Sequence, residues 1–205
     1  MRIAVVGGTG SFGRAVALRL RDAGHQVVVG SRDDERAASA AAELGVEGAR
    51  NEQAVRGVDL VVLAVKADGM LATADELVDA IGTTPVLCVG AELAFGPGGA
   101  RPTTEATSLA ERVAARLAGP VVAGLHSLAA ANLAAEPPEE DALVCGDDPD
   151  AKELVLGLAR ELVQGRAVDA GPLASARALE GLTAVIVNVN RRYKAHAGVR
   201  VTGLS

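Results

Sequence analysis

An apolar strand followed at once by a glycine-rich turn constrains this chain more than any other part of its sequence. The apolar residues Ile3–Val6 precede the spacing G-x-G-x-x-G, which Gly8, Gly10 and Gly13 supply. A pyrophosphate lies on the first turn of a helix only where the backbone comes close to it, which favours glycine at the first two positions, and the third lets the helix pack on the strand. The turn therefore predicts a dinucleotide site. Its predicted contacts are Gly8, Thr9, Gly10, Ser11, Phe12 and Gly13.

The end of the second strand predicts which dinucleotide is bound. An NAD-binding protein places Asp or Glu there to hold the ribose hydroxyls, whereas this chain has Ser31 and then Arg32. A hydroxyl and a guanidinium suit a phosphate dianion, and Arg36, one helical turn further on, adds a second charge. The other interpretation is that both arginines are solvated residues offsetting the acids beside them. We predict NADP, because those acids lie beyond the end of the strand.

The composition limits the partners of this chain. With 20 basic and 26 acidic residues, its formal charge of -6 argues against nucleic-acid binding. Aromatic residues are almost absent, so we expect a core of Ala, Val and Leu. Cys88 and Cys145 lie far apart within apolar runs, which predicts buried, reduced thiols. No apolar run is long enough to span a bilayer, and we expect a cytoplasmic protein without a membrane partner.

Strand and helix patterns alternate along most of the chain, which is typical of α/β proteins whose parallel sheet is covered on both faces. We predict a Rossmann-type doubly wound, mainly parallel sheet with a small C-terminal helical or αβ extension. The predicted strands lie near 2–6, 26–30, 59–65, 85–90, 120–125, 142–146 and 166–169. The predicted helices lie near 11–23, 34–44, 51–56, 69–81, 106–118, 128–134, 149–163 and 174–195.

Three further segments carry specific expectations. The glycine-rich segment 91–104 follows a strand at the ligand-binding edge and is interpreted either as a lid or as a long connection. The charged, proline-containing segment 136–140 predicts a solvated turn. The last helix has an apolar face, and we expect it to bury part of that face on its own sheet and part on a second copy in a homodimer. That face consists of Leu179, Leu182, Ile186 and Val189.

The polar residues offer little acid–base or nucleophilic chemistry. There is no G-x-S-x-G elbow, and the three histidines stand far apart, so neither a hydrolase triad nor a metal site is predicted. Asp148 and Pro149 fit a helix start better than a carboxylate pair. A short-chain dehydrogenase would need Lys four residues after Tyr193, where Ala197 stands. The pattern favours direct hydride transfer between NADP and a second redox coenzyme, which requires orientation of two rings and no catalytic side chain.

Several blocks outside the general nucleotide motif are more specific. They are Leu125–Ser127, Val144–Asp148, Asp169–Leu173, Arg177, Leu182–Thr183 and Asn188, and they accompany the opening Met1–Gly10 and the strand end Val29–Arg32. On these blocks the sequence resembles the NADPH-dependent coenzyme F420 reductases, also called F420-dependent NADP oxidoreductases. The resemblance covers nearly the whole chain.

This resemblance implies an oxidoreductase that transfers a hydride between NADP(H) and the deazaflavin coenzyme F420, in a direction that the sequence does not set. It implies an NADP-binding domain over residues 1–125, and a smaller part over 126–205 that completes the deazaflavin pocket and forms the dimer interface. The implied contacts to the 2′-phosphate of NADP are Thr9, Ser31, Arg32 and Arg36. The implied deazaflavin-pocket residues are His126, Leu128, Arg177 and Thr183.

Alternatives remain open at the level of the sequence. An NADPH-dependent imine or pyrroline-carboxylate-type reductase usually has a longer C-terminal helical domain than the segment that follows Gly171. A non-catalytic NADP-binding sensor would share the same nucleotide site. For single residues, His126 could be a packed core histidine, and Arg177 could form a salt bridge with Glu180 or Glu161.

Overall fold

A computed structural model describes residues 1–204 as a three-layer α/β structure built on one eight-stranded sheet. The strand order is β10-β9-β8-β5-β4-β1-β2-β3. In chain order the elements are β1 Arg2–Val6, α1 Ser11–Asp22, β2 Gln26–Ser31, α2 Asp34–Leu44, β3 Glu47–Arg50, α3 Asn51–Ala54, β4 Leu60–Leu63, α4 Ala67–Ile81, β5 Val86–Cys88, β6 Leu93–Gly96, β7 Gly99–Pro102, α5 Leu109–Ala114, β8 Val121–Gly124, α6 Ala130–Ala135, β9 Ala142–Gly146, α7 Pro149–Leu162, β10 Ala167–Asp169 and α8 Ala176–Tyr193.

The sheet is parallel except where β9 runs antiparallel to β8, which confirms the predicted doubly wound, mainly parallel fold. Along β1, Ile3 and Val5 pack into the hydrophobic cluster on one face, whereas Ala4 and Val6 pack into the cluster on the other face. This alternation follows from the period of two in a strand, and burial on both faces explains why the strands read as continuous apolar runs.

The reversal at β9 determines where the C-terminal half of the chain lies. Because β8 ends at the carboxyl edge of the parallel strands and β9 starts beside it, the connecting segment 125–141 stays at that edge. Open α/β sheets bind ligands at the carboxyl edge. The reversal therefore keeps His126 on the side of the sheet where the glycine-rich turn also lies.

Two elements were not predicted from the sequence. The short strand β3 pairs with β2 at the edge of the sheet. The segment 91–104 contains the antiparallel hairpin β6–β7, which the sequence pattern did not indicate. The hairpin packs against α8, where the Asn188 side chain accepts from the Ala100 backbone N–H at 2.8 Å and donates to its carbonyl at 2.7 Å.

Capping residues set several helix boundaries. Asp148 caps α7 by accepting from Ala151 N at 2.8 Å, and Pro149 opens the helix, as predicted. Helix α5 is shorter than the predicted 106–118 because Ser108 and Glu111 form a capping box that starts it at Leu109.

The prediction of a solvated turn at 136–140 is wrong at its last residue. Glu140 is buried, and its Oε1 accepts from the Asn132 amide while its Oε2 has no partner. The C-terminal segment folds back over this side chain and leaves no room for a Cβ at Gly198. Burial raises the pKa of Glu140, although the hydrogen bond from Asn132 acts in the opposite direction.

The neighbouring Asp141 carboxylate fastens the same C-terminal segment. It accepts from the Val201 backbone N–H at 2.7 Å and from the Arg166 guanidinium at 2.9 Å, while the Asp141 backbone N–H donates to Val199 O at 2.8 Å. Burial alone would raise the pKa of Asp141, but these hydrogen bonds outweigh it and lower the pKa to about 2. The carboxylate is therefore charged at neutral pH and ties the tail to the start of β9.

The buried core contains no aromatic side chain among the described residues and is built mainly from Ala, Val and Leu, as expected. Cys88 and Cys145 are buried and free, which confirms the prediction of reduced thiols. Burial raises the pKa of each thiol to about 12. Within residues 1–204, no helix combines the length and the apolar character needed to cross a bilayer, and no cluster of three or more His, Cys, Asp or Glu side chains is arranged to hold a metal ion.

Candidate coenzyme-binding site

A groove lies where the chain connections of the sheet diverge. From β1 the chain winds outward to β2 and β3, whereas β4 leads the other way to β5 and β8, so the carboxyl ends of β1 and β4 flank a topological switch point. The groove there has a volume of about 210 Å³. It is lined by Gly7, Thr9, Gly10, Ser31, Arg32, Asp33, Arg36, Asn51, Ala64, Val65, Lys66 and Thr73.

The glycines of the turn have different physical reasons to be glycine. A Cβ at Gly13 would lie 2.9 Å from the Gly7 carbonyl carbon, which agrees with the expected close packing of α1 on the turn. A Cβ at Gly8 would lie 2.8 Å from the Val29 side chain, so this glycine is required by packing inside the protein, in addition to any approach of a ligand. Gly10 is exposed and lines the groove.

Helix α1 presents its free N-terminus to this groove. Gly10 is the N-cap and provides no side chain to cap the helix. The backbone N–H groups of the first helical turn have no carbonyl partner within a helix, so those of Ser11, Phe12 and Gly13 are available to an anion. This end of the groove suits a pyrophosphate.

The other end of the groove carries unpaired positive charge. Arg32 and Arg36 are exposed, and neither guanidinium forms an ion pair within residues 1–204. Ser31 is 8% exposed, and its Oγ accepts from the Asp33 backbone N–H at 3.2 Å. Asp33 also lines the groove, but its carboxylate caps α2 by accepting from Arg36 N at 2.9 Å. Two free guanidiniums thus face a groove in which the nearest acid is already engaged.

An adjoining pocket of about 220 Å³ continues along the edge of the sheet from Gly10. Its walls are mainly apolar and include Phe12, Val65 and Val89, with Lys66 at the border that it shares with the groove. The pocket is suited to a flat ring that is apolar on its faces.

His126 lies directly beyond β8 with one ring nitrogen unsatisfied. Its Nε2 donates to Gly90 O at 3.0 Å, whereas Nδ1 is buried without a partner in the described chain. The side chain is only 6% exposed, and burial lowers the pKa of His126 to about 4, so the ring is neutral at pH 7. Because the proton is on Nε2, Nδ1 is a buried hydrogen-bond acceptor without a donor in the described chain.

The structure places Thr183 and Leu128 around the segment that carries His126. Thr183 Oγ1 lies 3.0 Å from His126 O and 3.2 Å from Leu179 O, and it donates to these carbonyls. Leu128 is buried in the hydrophobic cluster that also contains Leu125 and Leu133. Both residues support the backbone at this edge of the sheet.

Arg177 is engaged in protein contacts. Its guanidinium pairs with Glu180 at 2.8 Å and donates to Thr103 O at 2.6 Å. Glu180 is fully buried and accepts from Leu109 N at 2.6 Å, at the start of α5. Burial raises the pKa of Glu180, although the hydrogen bonds from Leu109 and Arg177 act in the opposite direction. Arg177 thus balances a buried carboxylate and ties α8 to the segment that follows the hairpin.

Sequence reasoning did not include four polar side chains of the groove among its nucleotide contacts: Asp33, Asn51, Lys66 and Thr73. Lys66 was available as a signal, because it is a cation at the end of an apolar strand. Asn51 follows β3, an edge strand that the apolar pattern does not reveal, and the sequence therefore gave no reason to place it beside Ser31.

The fold and the groove define a class of protein: a Rossmann-type nicotinamide-dinucleotide-binding protein, with its groove at the switch point of a doubly wound sheet. Residues 2–90 match the family model described as NADP oxidoreductase, coenzyme F420-dependent. Over its full length the chain is 34% identical to the F420-dependent NADP reductase of Methanothermobacter thermautotrophicus, of which it covers 96%. The chain belongs to this family of F420-dependent NADP reductases.

Solved structures agree with the fold. A structure from Arthrobacter sp. FB24, described as an F420-dependent NADP reductase, matches with a TM-score of 0.86 and 24% identity over 99% of this chain and 100% of that one. A pyrroline-5-carboxylate reductase from Coxiella burnetii matches with a TM-score of 0.61 and 17% identity, over 82% of this chain and 58% of that one. At these identities both likenesses show the shared fold alone.

Proposed function

We propose that this protein transfers a hydride between NADP(H) and coenzyme F420. The observation that carries the proposal is the juxtaposition of an anion-binding helix start, two unpaired arginines and an apolar ring-sized pocket along one edge of the sheet. The full-length similarity to F420-dependent NADP reductases supports the same reaction. The pyrroline-carboxylate-type alternative is less well supported, because the full-length relatives at 33–34% identity are F420-dependent NADP reductases.

NADP fits the groove in one orientation. The pyrophosphate lies on the free N–H groups at the start of α1, and the 2′-phosphate lies between Ser31 and Arg32, with Arg36 and Thr9 beside it. This orientation directs the nicotinamide toward Phe12 and Val89 in the apolar pocket. The groups present in the chain match the charges of the coenzyme at both phosphate positions.

F420 fits beyond the nicotinamide, at the edge to which the β9 reversal returns the chain. A deazaflavin ring has polar groups on its rim, and the unsatisfied Nδ1 of His126 is an acceptor for an N–H of such a ring. We propose His126 as a contact residue. Thr183, Leu128 and Arg177 act as positioning residues for the segments around it, since their present partners are protein groups.

The two coenzymes divide the chain into two functional parts. Residues 1–125 hold NADP, and residues 126–205 complete the F420 pocket. The parts share one sheet, because β8 of the first pairs directly with β9 of the second. The two parts bind different coenzymes, but this does not require them to fold as separate units.

The bound coenzymes supply the redox chemistry: a hydride moves between nicotinamide C4 and deazaflavin C5, and solvent supplies or accepts the accompanying proton. The chain binds and orients both rings and excludes water between them with the apolar side chains of the pocket. His126 stays neutral at pH 7 because of its lowered pKa, and so it accepts a hydrogen bond without acting as an acid.

The reaction is tested by mixing the purified protein with NADPH and oxidised F420 under anaerobic conditions. We expect equimolar loss of NADPH and of the oxidised deazaflavin absorbance. Replacing His126 by Ala should raise the F420 concentration needed for half-saturation while leaving NADPH binding unchanged, because His126 contacts only the second coenzyme.

The matched comparison is His25→Ala, since His25 lies far from this edge and pairs with Glu161 at 2.6 Å. It should leave both coenzymes unaffected. NADPH binding without any loss of deazaflavin absorbance would contradict the hydride-transfer function. An effect of His126→Ala on NADPH alone would mean that the F420 pocket lies elsewhere.

We also propose that two copies associate through α8. Val185, Val189 and Tyr193 form an exposed stripe on this helix, with Tyr193 72% exposed, while Leu179 and Ile186 are buried. Phe95 in the hairpin packed on α8 is likewise exposed. Light scattering should give twice the mass of one chain, and Val189→Lys should shift the mass toward a monomer. A monomeric wild-type protein would contradict this proposal.

A further inference from the structure

Three side chains border both the coenzyme groove and a second pocket next to it. The second pocket has a volume of about 460 Å³ and extends toward Gln53, Glu76 and Leu77. The residues common to both linings are Ser31, Arg32 and Asn51. The first two are proposed above as contacts of the 2′-phosphate, and the third occupies the same junction.

The backbone holds Asn51 in a defined place. Arg50, the last residue of β3, pairs with Ser31 of β2, so Asn51 follows directly beyond the partner of Ser31. Its side chain lies against Gly30, where a Cβ would be only 2.9 Å from Asn51 Oδ1. Glycine at position 30 thus makes room for the amide at the end of β2.

The side-chain amide of Asn51 makes no hydrogen bond within the described chain. Asn51 does not cap α3, because the N-cap is Arg50 and no side chain caps that helix. Oδ1 is buried without a hydrogen-bond partner, and the amide nitrogen makes no hydrogen bond to any group of the described chain. In the described chain the protein uses neither polar atom of this amide, although the residue lines the groove, so the amide is available to a ligand that binds there.

The donor end of the amide is the part that can serve the groove. Because Oδ1 is sealed against Gly30, Nδ2 is the polar atom that Asn51 can offer to a ligand. Beside it stand a serine hydroxyl and an unpaired guanidinium, which are also donors. Three donors at one junction match an anion with several acceptor oxygens, such as a phosphate.

We propose that Asn51 donates a hydrogen bond to the 2′-phosphate of NADP and so contributes to the choice of NADP over NAD. This inference depends on one part of the proposed function, namely that NADP binds in the groove. It does not depend on hydride transfer to F420. A neutral donor adds no charge at this position, where two acids of the pocket linings are engaged within the protein: Glu52 pairs with Arg56 at 2.7 Å, and Asp33 caps α2. A carboxylate in place of the amide would repel the phosphate and accept from a ribose hydroxyl instead.

The test is Asn51→Asp, which preserves the shape of the side chain and exchanges the donor for a charged acceptor. Binding of NADPH and of NADH is measured directly by nicotinamide fluorescence, without F420. We expect the Kd for NADPH to rise about tenfold or more, as for loss of a hydrogen bond to a charged group, and the Kd for NADH to stay the same or fall. Adenosine 2′-phosphate as a competitor should lose affinity in parallel with NADPH.

Two further variants separate this role from general effects. Gln53→Glu places the same charge two residues away, in the second pocket only, and should leave NADPH affinity within about threefold. Asn51→Ala removes the donor without adding charge and should weaken NADPH more than NADH. Thermal melting with and without NADPH checks that each variant is folded.

Equal changes for NADPH and NADH in Asn51→Asp, or no change for either, would overturn the role of Asn51. These results differ from failure of the proposed function. If the wild-type protein binds NADPH but transfers no hydride, the reaction is wrong and the Asn51 comparison remains valid. If the wild-type protein does not bind NADPH, both the coenzyme assignment and the role of Asn51 fail.

Discussion

Replacing Gly13 by Ala should lower the free energy of unfolding by about 2–3 kcal/mol and strongly weaken NADPH binding. The new Cβ would lie 2.9 Å from both the Gly7 carbonyl carbon and the Gly8 Cα. These are backbone atoms and cannot rotate aside, so α1 must move away from the turn that holds the pyrophosphate. Urea denaturation and NADPH titration measure the two effects on the same preparation.

The matched control is Gly157→Ala in the middle of α7, where a Cβ meets nothing within 4 Å. Alanine is the better helix former, so this variant should be more stable by about 0.5–1 kcal/mol and should bind NADPH normally. If Gly13→Ala instead unfolds at the same urea concentration as the wild type, the close packing of α1 on the turn is wrong.

Replacing Arg32 by Ala should reduce NADPH affinity by about ten- to a hundredfold, as expected for the loss of a hydrogen bond to a charged group. Arg32 is exposed and unpaired within residues 1–204, so its removal leaves no buried charge behind and folding should be unaffected. NADH has no 2′-phosphate, and its affinity should therefore change little. Parallel titrations with the two nucleotides provide the measurement.

Arg50→Ala is the appropriate comparison, because Arg50 lines the second pocket of about 460 Å³ but its guanidinium already pairs with Asp34 at 3.1 Å. It should alter NADPH affinity much less than Arg32→Ala does. Equal losses of NADPH and NADH affinity in Arg32→Ala would contradict a contact with the 2′-phosphate.

The elements that local sequence specifies were predicted well. The strand–turn–helix unit at the N-terminus follows from an apolar run and glycines within a dozen residues, and α7 begins at the predicted cap, Asp148. Each of these features depends on neighbours in the chain. Burial on both faces of a parallel sheet also leaves a direct trace, since it requires continuous apolar strands.

The elements that were missed depend on distant partners. Strand β3 has the polar sequence EGAR and is a strand only because it pairs with β2. The hairpin is fixed in part by Asn188, which lies 88 residues from Ala100. A local sequence pattern does not indicate contacts between residues that lie so far apart in the chain.

The same limit applies to the charges of the site. Arg177 pairs with Glu180, which lies three residues further along the same helix, but the burial of Glu180 is linked to the start of α5 at Leu109, 71 residues away, and could not be predicted from the sequence. The alternative of a salt bridge between Arg177 and Glu180 describes the contact that the structure contains. Conversely, Arg32 and Arg36 stand next to acids in the sequence but form no ion pair with them, because Asp33 is turned to cap α2.

The two buried cysteines have a practical consequence for studying this protein. With thiol pKa values near 12 and no exposure, Cys88 and Cys145 should react very slowly with maleimide reagents at neutral pH. A single cysteine introduced at Gly98 in the turn of the hairpin, where an added Cβ meets nothing within 4 Å, would then be labelled selectively in the otherwise native chain. A fluorophore at that position could follow movement of the hairpin during coenzyme binding without removal of any native residue from the core.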